Sequence, residues 1–218
     1  MLAGLLLIFF SAYEYGRVLH LRPLPMHLWR QADCLALTLQ YARDEGSFTE
    51  PSILGQIADK GTSGKSAGEL PLIYFLMGKL WSITGPSEFI YRLFGLLLHV
   101  VGTFALFATV RRVVQSDFWA VTTALLFFTS PVMAYYAVGF LPDVPAFDLV
   151  LVGWYLMARF AAGRDHRYWY LAVFFFGLAM LQKVTAGMRL VALGLLLLLA
   201  TLRPAWLGPQ RQLLPDVR

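Results

Sequence analysis

The feature that most constrains this chain is a series of long apolar stretches that recur along its length. Residues 118–138 contain no charged side chain, and only 14% of the 218 residues are charged, whereas soluble domains carry roughly 25%. A run of about 20 apolar residues forms a helix long enough to cross the hydrocarbon core of a bilayer. The sequence therefore predicts an all-α polytopic membrane protein and excludes a soluble globular domain.

About six transmembrane helices are predicted, together with interfacial helices in a large first outer loop. Residues 70–84 are short for a span and are interrupted by Lys79. Their aromatic side chains favour a helix that lies at the membrane interface. The predicted spans are residues 1–18, 91–110, 118–138, 144–158, 168–182 and 190–202. The predicted organisation is a first transmembrane helix at 1–20, the outer loop at 21–87, a five-helix bundle at 88–203 and a polar tail at 204–218.

The basic residues lie mainly in loops, so membrane orientation explains the net charge of +5. Arg111 and Arg112 fall in one loop, and the loop two spans later, at residues 159–167, is also basic. Cytoplasmic loops are enriched in Lys and Arg, so we expect both to face the cytoplasm. Residues 21–69 and 139–142 then share the outer, non-cytoplasmic face. No nucleic-acid motif is present, and we expect no nucleic-acid partner.

Three acidic residues fall at this outer interface. Asp33 lies in the segment HLWRQAD, Asp143 lies in GFLPDVPAF, and Glu69 stands just before the interfacial helix. Carboxylates at such a surface suit proton abstraction or the binding of a divalent metal ion. Taken singly, Asp33 and Asp143 are equally well explained as N-caps of helices.

Three cationic residues share the same interface, namely Arg30, Arg92 and Lys183. Each could simply extend its charged end to the membrane surface while its stem stays in the apolar region. Because cations suit a phosphate group, the three are candidates for binding the phosphate of a donor. Acids and cations together indicate a substrate with a lipid tail and a phosphate head.

Two further polar residues lie inside predicted spans. An ionisable group at membrane depth is costly, so Asp148 is a functional hypothesis in its own right. We interpret His99 as a packed or hydrogen-bonded core residue. Cys34 is the one cysteine of the chain; an intrachain disulfide is excluded, and no cysteine-based metal site is indicated.

Four segments, in this order and spacing, resemble bacterial glycosyltransferase family 39-like proteins. These belong to the GT-C superfamily, with the protein O-mannosyltransferases and the lipid A aminoarabinose transferases. The segments are WRQAD, GELPLIYFLMGKLWSITGPSEFIYRLFG, SPVMAYYAVGFLPDVPAF and LQKVTAG. They cover residues 28–187, and the resemblance implies a helical membrane core with helices lying on the membrane in its first outer loop.

The resemblance also implies an activity. A sugar would pass from a polyprenyl-phosphate carrier to a lipid, glycan or protein acceptor, on the outer side of a bacterial inner (plasma) membrane. Asp33 would be the general base or an acceptor-binding acid, and Asp143 the second acid. Glu69 matches an acid that helps to bind a metal in some members, so a divalent metal ion is the one cofactor indicated. Arg92 and Lys183 match cations near the lipid phosphate.

The chain departs from the family pattern in places. Leu70 stands where the aminoarabinose transferases have a lysine, and WRQADCLA stands where relatives often have WRQADTAA. Family members continue into further spans and a soluble C-terminal domain, so we expect this chain to be their N-terminal part, cut near residues 204–218.

Two other interpretations stay open: a transporter or flippase for a lipid-linked sugar, and a non-catalytic fragment of a larger transferase. A transporter would require polar residues through the bilayer or paired broken helices. Here the polar groups collect on one face.

Overall fold

The protein is almost entirely helical. The computed structural model describes residues 1–23, 26–52, 64–65 and 69–202, and within them one isolated antiparallel bridge joins Ser52 and Lys65. The predicted all-α class is confirmed. The described helices are α1 (Leu2–Ala12), α2 (Tyr15–Val18), α3 (Leu28–Ala42), α4 (Leu72–Thr84), α5 (Glu88–Val114), α6 (Asp117–Thr129), α7 (Pro131–Ala137), α8 (Asp143–Gly163), α9 (His166–Gln182) and α10 (Met188–Leu202), with a 3-10 turn at Val184–Gly187.

Three helical stretches of the described chain are long and apolar enough to cross a membrane. They are α5, α8 and the continuous stretch Val184–Leu202, which comprises the 3-10 turn and α10. The bent pair α6 and α7 supplies a fourth candidate if it is counted as one span. The protein is therefore a multi-pass membrane protein with three or four candidate spans.

The predicted span at residues 118–138 is not one straight helix. It is divided into α6 and α7, which differ in direction by 62°. Pro131 causes the break, because proline has no N–H and its ring excludes the preceding residue from helical geometry. Ser130 accordingly adopts φ −54° and ψ 126°, and α7 starts afresh with Pro131 at its first position, where a missing N–H costs nothing.

Two other predicted spans are short. α1 ends at Ala12, and Glu14 follows with φ 50°, so this helix of 11 residues rises about 16 Å, against a hydrocarbon core of about 30 Å. α9 has 17 residues and rises about 25 Å. The predicted boundaries at 20/21, 87/88 and 203/204 stay predictions, and the tail at 204–218 lies outside the described residues.

The chain forms two compact units, and the first comprises Met1–Leu98 and Thr129–Val144. Its centre is the packing of the amphipathic helix α3 against the apolar helix α4. α4 has 13 residues and rises about 20 Å, as expected for a helix that does not span. Lys79 of α4 forms an ion pair with Asp44, just after α3. The buried cluster consists of Cys34, Leu37, Tyr41, Ile73, Tyr74, Met77, Trp81, Tyr91, Phe140 and Leu141.

The second unit comprises His99–Phe128 and the described residues from Pro145 onward. α8 and α9 pack along one another in opposite directions. The ring centroids of Trp154 and Phe176 are 5.5 Å apart, and those of Phe160 and Trp169 are 5.6 Å apart. Gly153 makes this approach possible, because a Cβ there would lie 2.5 Å from the Phe176 ring.

We predict that Gly78→Ala destabilises the protein by about 1–3 kcal/mol, the usual cost of overpacking a well-packed contact. A Cβ at this position would lie 2.5 Å from Cβ of Tyr41 and 2.7 Å from the carbonyl oxygen of Thr38, so α3 would have to move. Thermal unfolding of the full chain in detergent measures the effect.

Gly177→Ala is the matched control, because nothing lies within 4 Å of its added Cβ. Alanine is the better helix former, so this variant should be as stable as the parent or more stable. Equal stability of Gly78→Ala and Gly177→Ala would contradict the close contact between α3 and α4.

Candidate active site

Asp33 is the sixth residue of α3, which begins at Leu28. The helix start is therefore five residues earlier, and the interpretation of Asp33 as an N-cap is wrong. The side chain is half-buried, and within the described part of the chain its carboxylate has no hydrogen bond or ion pair. Cys34, the next residue, points into the core of the first unit. The Asp33 carboxylate thus lies on a helix and stays accessible to solvent.

Arg30 lies one turn before Asp33 and pairs with Glu69. Nη2 of Arg30 is 3.4 Å from Oε1 of Glu69, and the two side chains are 41% and 27% exposed. Partly exposed pairs of this kind contribute little, of the order of 1 kcal/mol or less. An anionic ligand could therefore draw Arg30 away from Glu69 at small cost.

Among the described residues, no set of metal-binding donors surrounds Glu69. The described residues contain no group of three or more His, Cys, Asp or Glu side chains arranged to hold a metal ion. The acid that the resemblance assigns to the metal instead contacts a cation, Arg30. The divalent ion stays a prediction.

Arg92 is fully buried near the start of α5. Its Nε donates to the carbonyl oxygen of Leu21 at 3.0 Å, and its Nη2 donates to that of Arg22 at 2.8 Å. Nη1 donates to the carbonyl oxygen of Val138, and the guanidinium carbon lies 4.4 Å from the ring centroid of Phe140. Its donors thus face backbone in two other segments of the first unit, so binding of a phosphate by Arg92 stays a prediction that would require these bonds to open.

Asp143 is the first residue of α8 and is half-buried. Negative charge is favourable there, because the first N–H groups of a helix point toward it. The preceding residues Phe140 and Leu141 belong to the same buried cluster as Cys34, and Oη of Tyr91 donates to the carbonyl oxygen of Phe140 at 3.3 Å. One hydrophobic core therefore holds both the helix of Asp33 and the turn before Asp143.

Lys183 belongs to the second unit. It follows the last residue of α9 with extended backbone angles, φ −148° and ψ 110°, and is half-buried. Its carbonyl oxygen accepts from the N–H of Ala186 in the 3-10 turn. Its predicted phosphate contact stays a prediction.

Asp148 pairs with His99 in the second unit. Oδ1 of Asp148 lies 3.2 Å from Nδ1 of His99, and both side chains are fully buried. The imidazole stacks on Phe128, with ring centroids 5.4 Å apart and planes 15° from parallel. The interpretation of His99 as a hydrogen-bonded core residue is confirmed. The pair joins α5 to α8 and gives Asp148 a structural partner; a functional role for Asp148 stays a prediction.

Sequence reasoning missed the groups that hold the start of α3. Nε2 of Gln31 donates to the carbonyl oxygen of Met26 at 2.7 Å, and Oη of Tyr135 donates to the same oxygen at 3.3 Å. Oη of Tyr136 lies 3.3 Å from the sulfur of Met26. The bond from Gln31 to Met26 is local, but the two tyrosines belong to α7, which lies more than 100 residues away in the sequence. These tyrosines position the helix that carries Asp33.

Comparison with known proteins identifies a family. A family model described as dolichyl-phosphate-mannose-protein mannosyltransferase matches residues 67–212, about two thirds of the chain. The match includes Glu69, Arg92, Asp143 and Lys183, and it begins after Asp33. No curated protein and no solved structure matches the chain.

We predict that Arg92→Lys lowers the stability by about 3 kcal/mol or more. One ammonium group cannot reach carbonyls in two separate segments, and each buried acceptor left unpaired costs about 1–3 kcal/mol. Thermal unfolding in detergent checks this, with Arg17→Lys as the control because the Arg17 side chain is 79% exposed. A stable Arg92→Lys variant with weakened donor binding would instead support direct phosphate contact.

We predict that Cys34 of the folded protein reacts very slowly with maleimides. Burial raises the pKa of its thiol from the ordinary 9.0 to about 11, and the thiol donates to Oη of Tyr74 at 3.2 Å. Because the thiolate is the reactive form, its fraction at pH 8 falls about a hundredfold. As the one cysteine of the chain, Cys34 reports this directly by mass spectrometry. Labelling as fast as in denaturant would contradict the packing of α3 on α4.

Proposed function

The chain belongs to the dolichyl-phosphate-mannose-protein mannosyltransferase family, and we propose that it transfers a sugar from a polyprenyl-phosphate donor to an acceptor on the non-cytoplasmic side of the membrane. Membership implies the class of reaction and the lipid-linked kind of donor. The side of the membrane, the inversion of the anomeric carbon and the roles of individual residues are the content of the proposal.

The observation that carries the proposal is that the Asp33 carboxylate is accessible and has no hydrogen bond or ion pair within the described residues. Most other described acids in its part of the chain are engaged with cations: Glu69 with Arg30, Asp44 with Lys79, and Glu50 with Lys65. Asp33 has no such contact, although it sits on a helix anchored by a buried core. A positioned, accessible carboxylate is what a general base requires.

In the proposed reaction, Asp33 accepts the proton of the acceptor O–H or N–H as that oxygen or nitrogen bonds to the anomeric carbon. The bond between this carbon and the phosphate oxygen breaks, and polyprenyl phosphate leaves with the electron pair. A single displacement of this kind inverts the anomeric configuration. Arg30, released from Glu69, offsets the charge that develops on the phosphate. Asp143 serves as the second acid, which orients the acceptor.

Arg92 enters the proposal mainly as a positioning residue, because its donors hold the backbone around Leu21 and Val138. Lys183 is proposed as a further phosphate-binding cation. No step is routed through a metal ion, since the described residues supply no donor set for one.

The proposed topology has six crossings of a bacterial plasma membrane. Residues 2–18, comprising α1 and α2, would make the first crossing, and α9, which rises about 25 Å, would make the fifth. Arg111 and Arg112 end α5, and the turn between α8 and α9 is also basic. The enrichment of Lys and Arg in cytoplasmic loops supports placing both on the cytoplasmic side, which leaves α3 and Asp33 outside.

We expect Asp33→Asn to reduce transfer by about 10²–10⁴-fold, the usual contribution of a general base, without loss of folding. The assay follows release of label from a radiolabelled polyprenyl-phosphate sugar in membranes that contain the full chain. Asp44→Asn is the matched control: Asp44 is exposed and has φ 58°, a conformation that asparagine adopts readily.

Normal turnover by Asp33→Asn would show that Asp33 is not the general base. Photo-crosslinking of the donor without turnover by the parent chain would mean that the donor site is present in a non-catalytic part of a larger transferase. Absence of both would overturn the proposal.

A further inference from the structure

A groove in the second unit is lined by none of the candidate site residues. It has a volume of about 560 Å³ and is bounded by α5, α8 and α9. Its lining is almost wholly apolar, and several of the side chains are exposed at its rim, among them Val101, Phe104 and Leu171. The groove is therefore open along a surface of helices that belong to the membrane region, where lipid chains are the surrounding solvent.

The groove continues into a polar recess. The recess has a volume of about 390 Å³ and is lined by Arg111, Arg112 and Gln115 at the end of α5. Phe107, Ala108 and Tyr155 line both spaces. The groove and the recess thus form one site, in which the apolar groove is the channel and the basic recess is the mouth.

The mouth concentrates positive charge. Arg112 has no hydrogen bond or ion pair from its guanidinium to the described residues, whereas Nε of Arg111 lies 2.6 Å from Oδ1 of Asp117. A third cation, Arg159, contacts the lining residue Tyr155: its Nη1 donates to the tyrosine Oη at 3.1 Å. With two arginines in its lining, one of them paired with an acid, and Arg159 bonded to the lining Tyr155, the mouth is suited to an anionic group.

The length of the site matches one leaflet. From Val101 to Arg112 the helix α5 rises about 16 Å, and half of the hydrocarbon core of a bilayer is about 15 Å. The apolar channel would lie at acyl-chain depth, and the arginines would lie at the level of the head groups. Basic pockets between membrane helices are known to bind anionic head groups.

We propose that this groove is a binding site for an anionic phospholipid of the bilayer, with its phosphate at Arg112 and Arg111 and one acyl chain between α5 and α8. The site is distinct from the donor site, which the proposed function assigns to residues at the other side of the membrane. It does not depend on the transferase reaction.

Native mass spectrometry of the delipidated full chain in detergent tests the proposal. Phosphatidylglycerol and phosphatidylcholine with the same acyl chains are added in parallel. We expect phosphatidylglycerol to bind at least tenfold more tightly. Arg112→Gln should weaken it about fivefold, since each basic residue near the surface contributes about 1 kcal/mol. Ala108→Phe, which fills the channel, should weaken it by a similar factor or more.

Two control variants match these changes. Arg167→Gln removes a charge at the exposed start of α9 without touching the groove, and Ala162→Phe adds a ring at an exposed position of α8. Both should bind phosphatidylglycerol like the parent.

Three results would overturn the inference: equal binding of the two lipids, parent-like affinity of Arg112→Gln, or displacement of phosphatidylglycerol by a much smaller amount of polyprenyl phosphate. The last would assign the groove to the lipid carrier. If Ala108→Phe fails to fold, the affinity of Arg112→Gln for phosphatidylglycerol still tests the inference. Because the readout is lipid binding, its outcome is independent of the turnover assay for Asp33.

Discussion

The first unit depends on the hydrogen bonds that the buried guanidinium of Arg92 donates to three backbone carbonyl groups. The backbone after α2 and after α7 leaves carbonyl groups that no helix satisfies, and an unpaired polar group in an apolar region costs several kcal/mol. Arginine offers five N–H donors in a rigid fork, so one side chain can satisfy carbonyls of Leu21, Arg22 and Val138 together. Its contact with Phe140 then extends this arrangement into the hydrophobic core beneath α3.

The same rule distinguishes a buried, partnered acid from the acid proposed as the base. Asp148 is buried at membrane depth and is retained because His99 bonds to it, whereas Asp33 is half-buried on a surface helix and keeps its carboxylate accessible. By its position in the sequence, Asp148 had the stronger claim to function, since ionisable residues inside spans are costly. In the structure, Asp148 has a buried partner and ties two helices together, whereas Asp33 has none within the described residues and is the proposed base.

Several features of the fold followed from local sequence. The short, aromatic segment after Glu69 predicted a helix, α4, that is too short to span. Two predictions differ from the structure: the straight span at residues 118–138 and the N-cap role of Asp33. Pro131 divides a span that carries no charge, since a proline ends a helix whatever the polarity of its neighbours. Asp33 resembled an N-cap, but α3 begins five residues earlier at Leu28.

The sequence by itself determined that this chain is a helical membrane protein and indicated the family to which it belongs. These depend on composition, periodicity and motif order, which are local or ordered along the chain. Only the tertiary structure decided which partners the charged side chains contact. Whether Arg30 meets Glu69, Arg92 meets Val138 or Asp148 meets His99 depends on segments that lie 39 to 49 residues apart, and no local pattern specifies contacts across such separations.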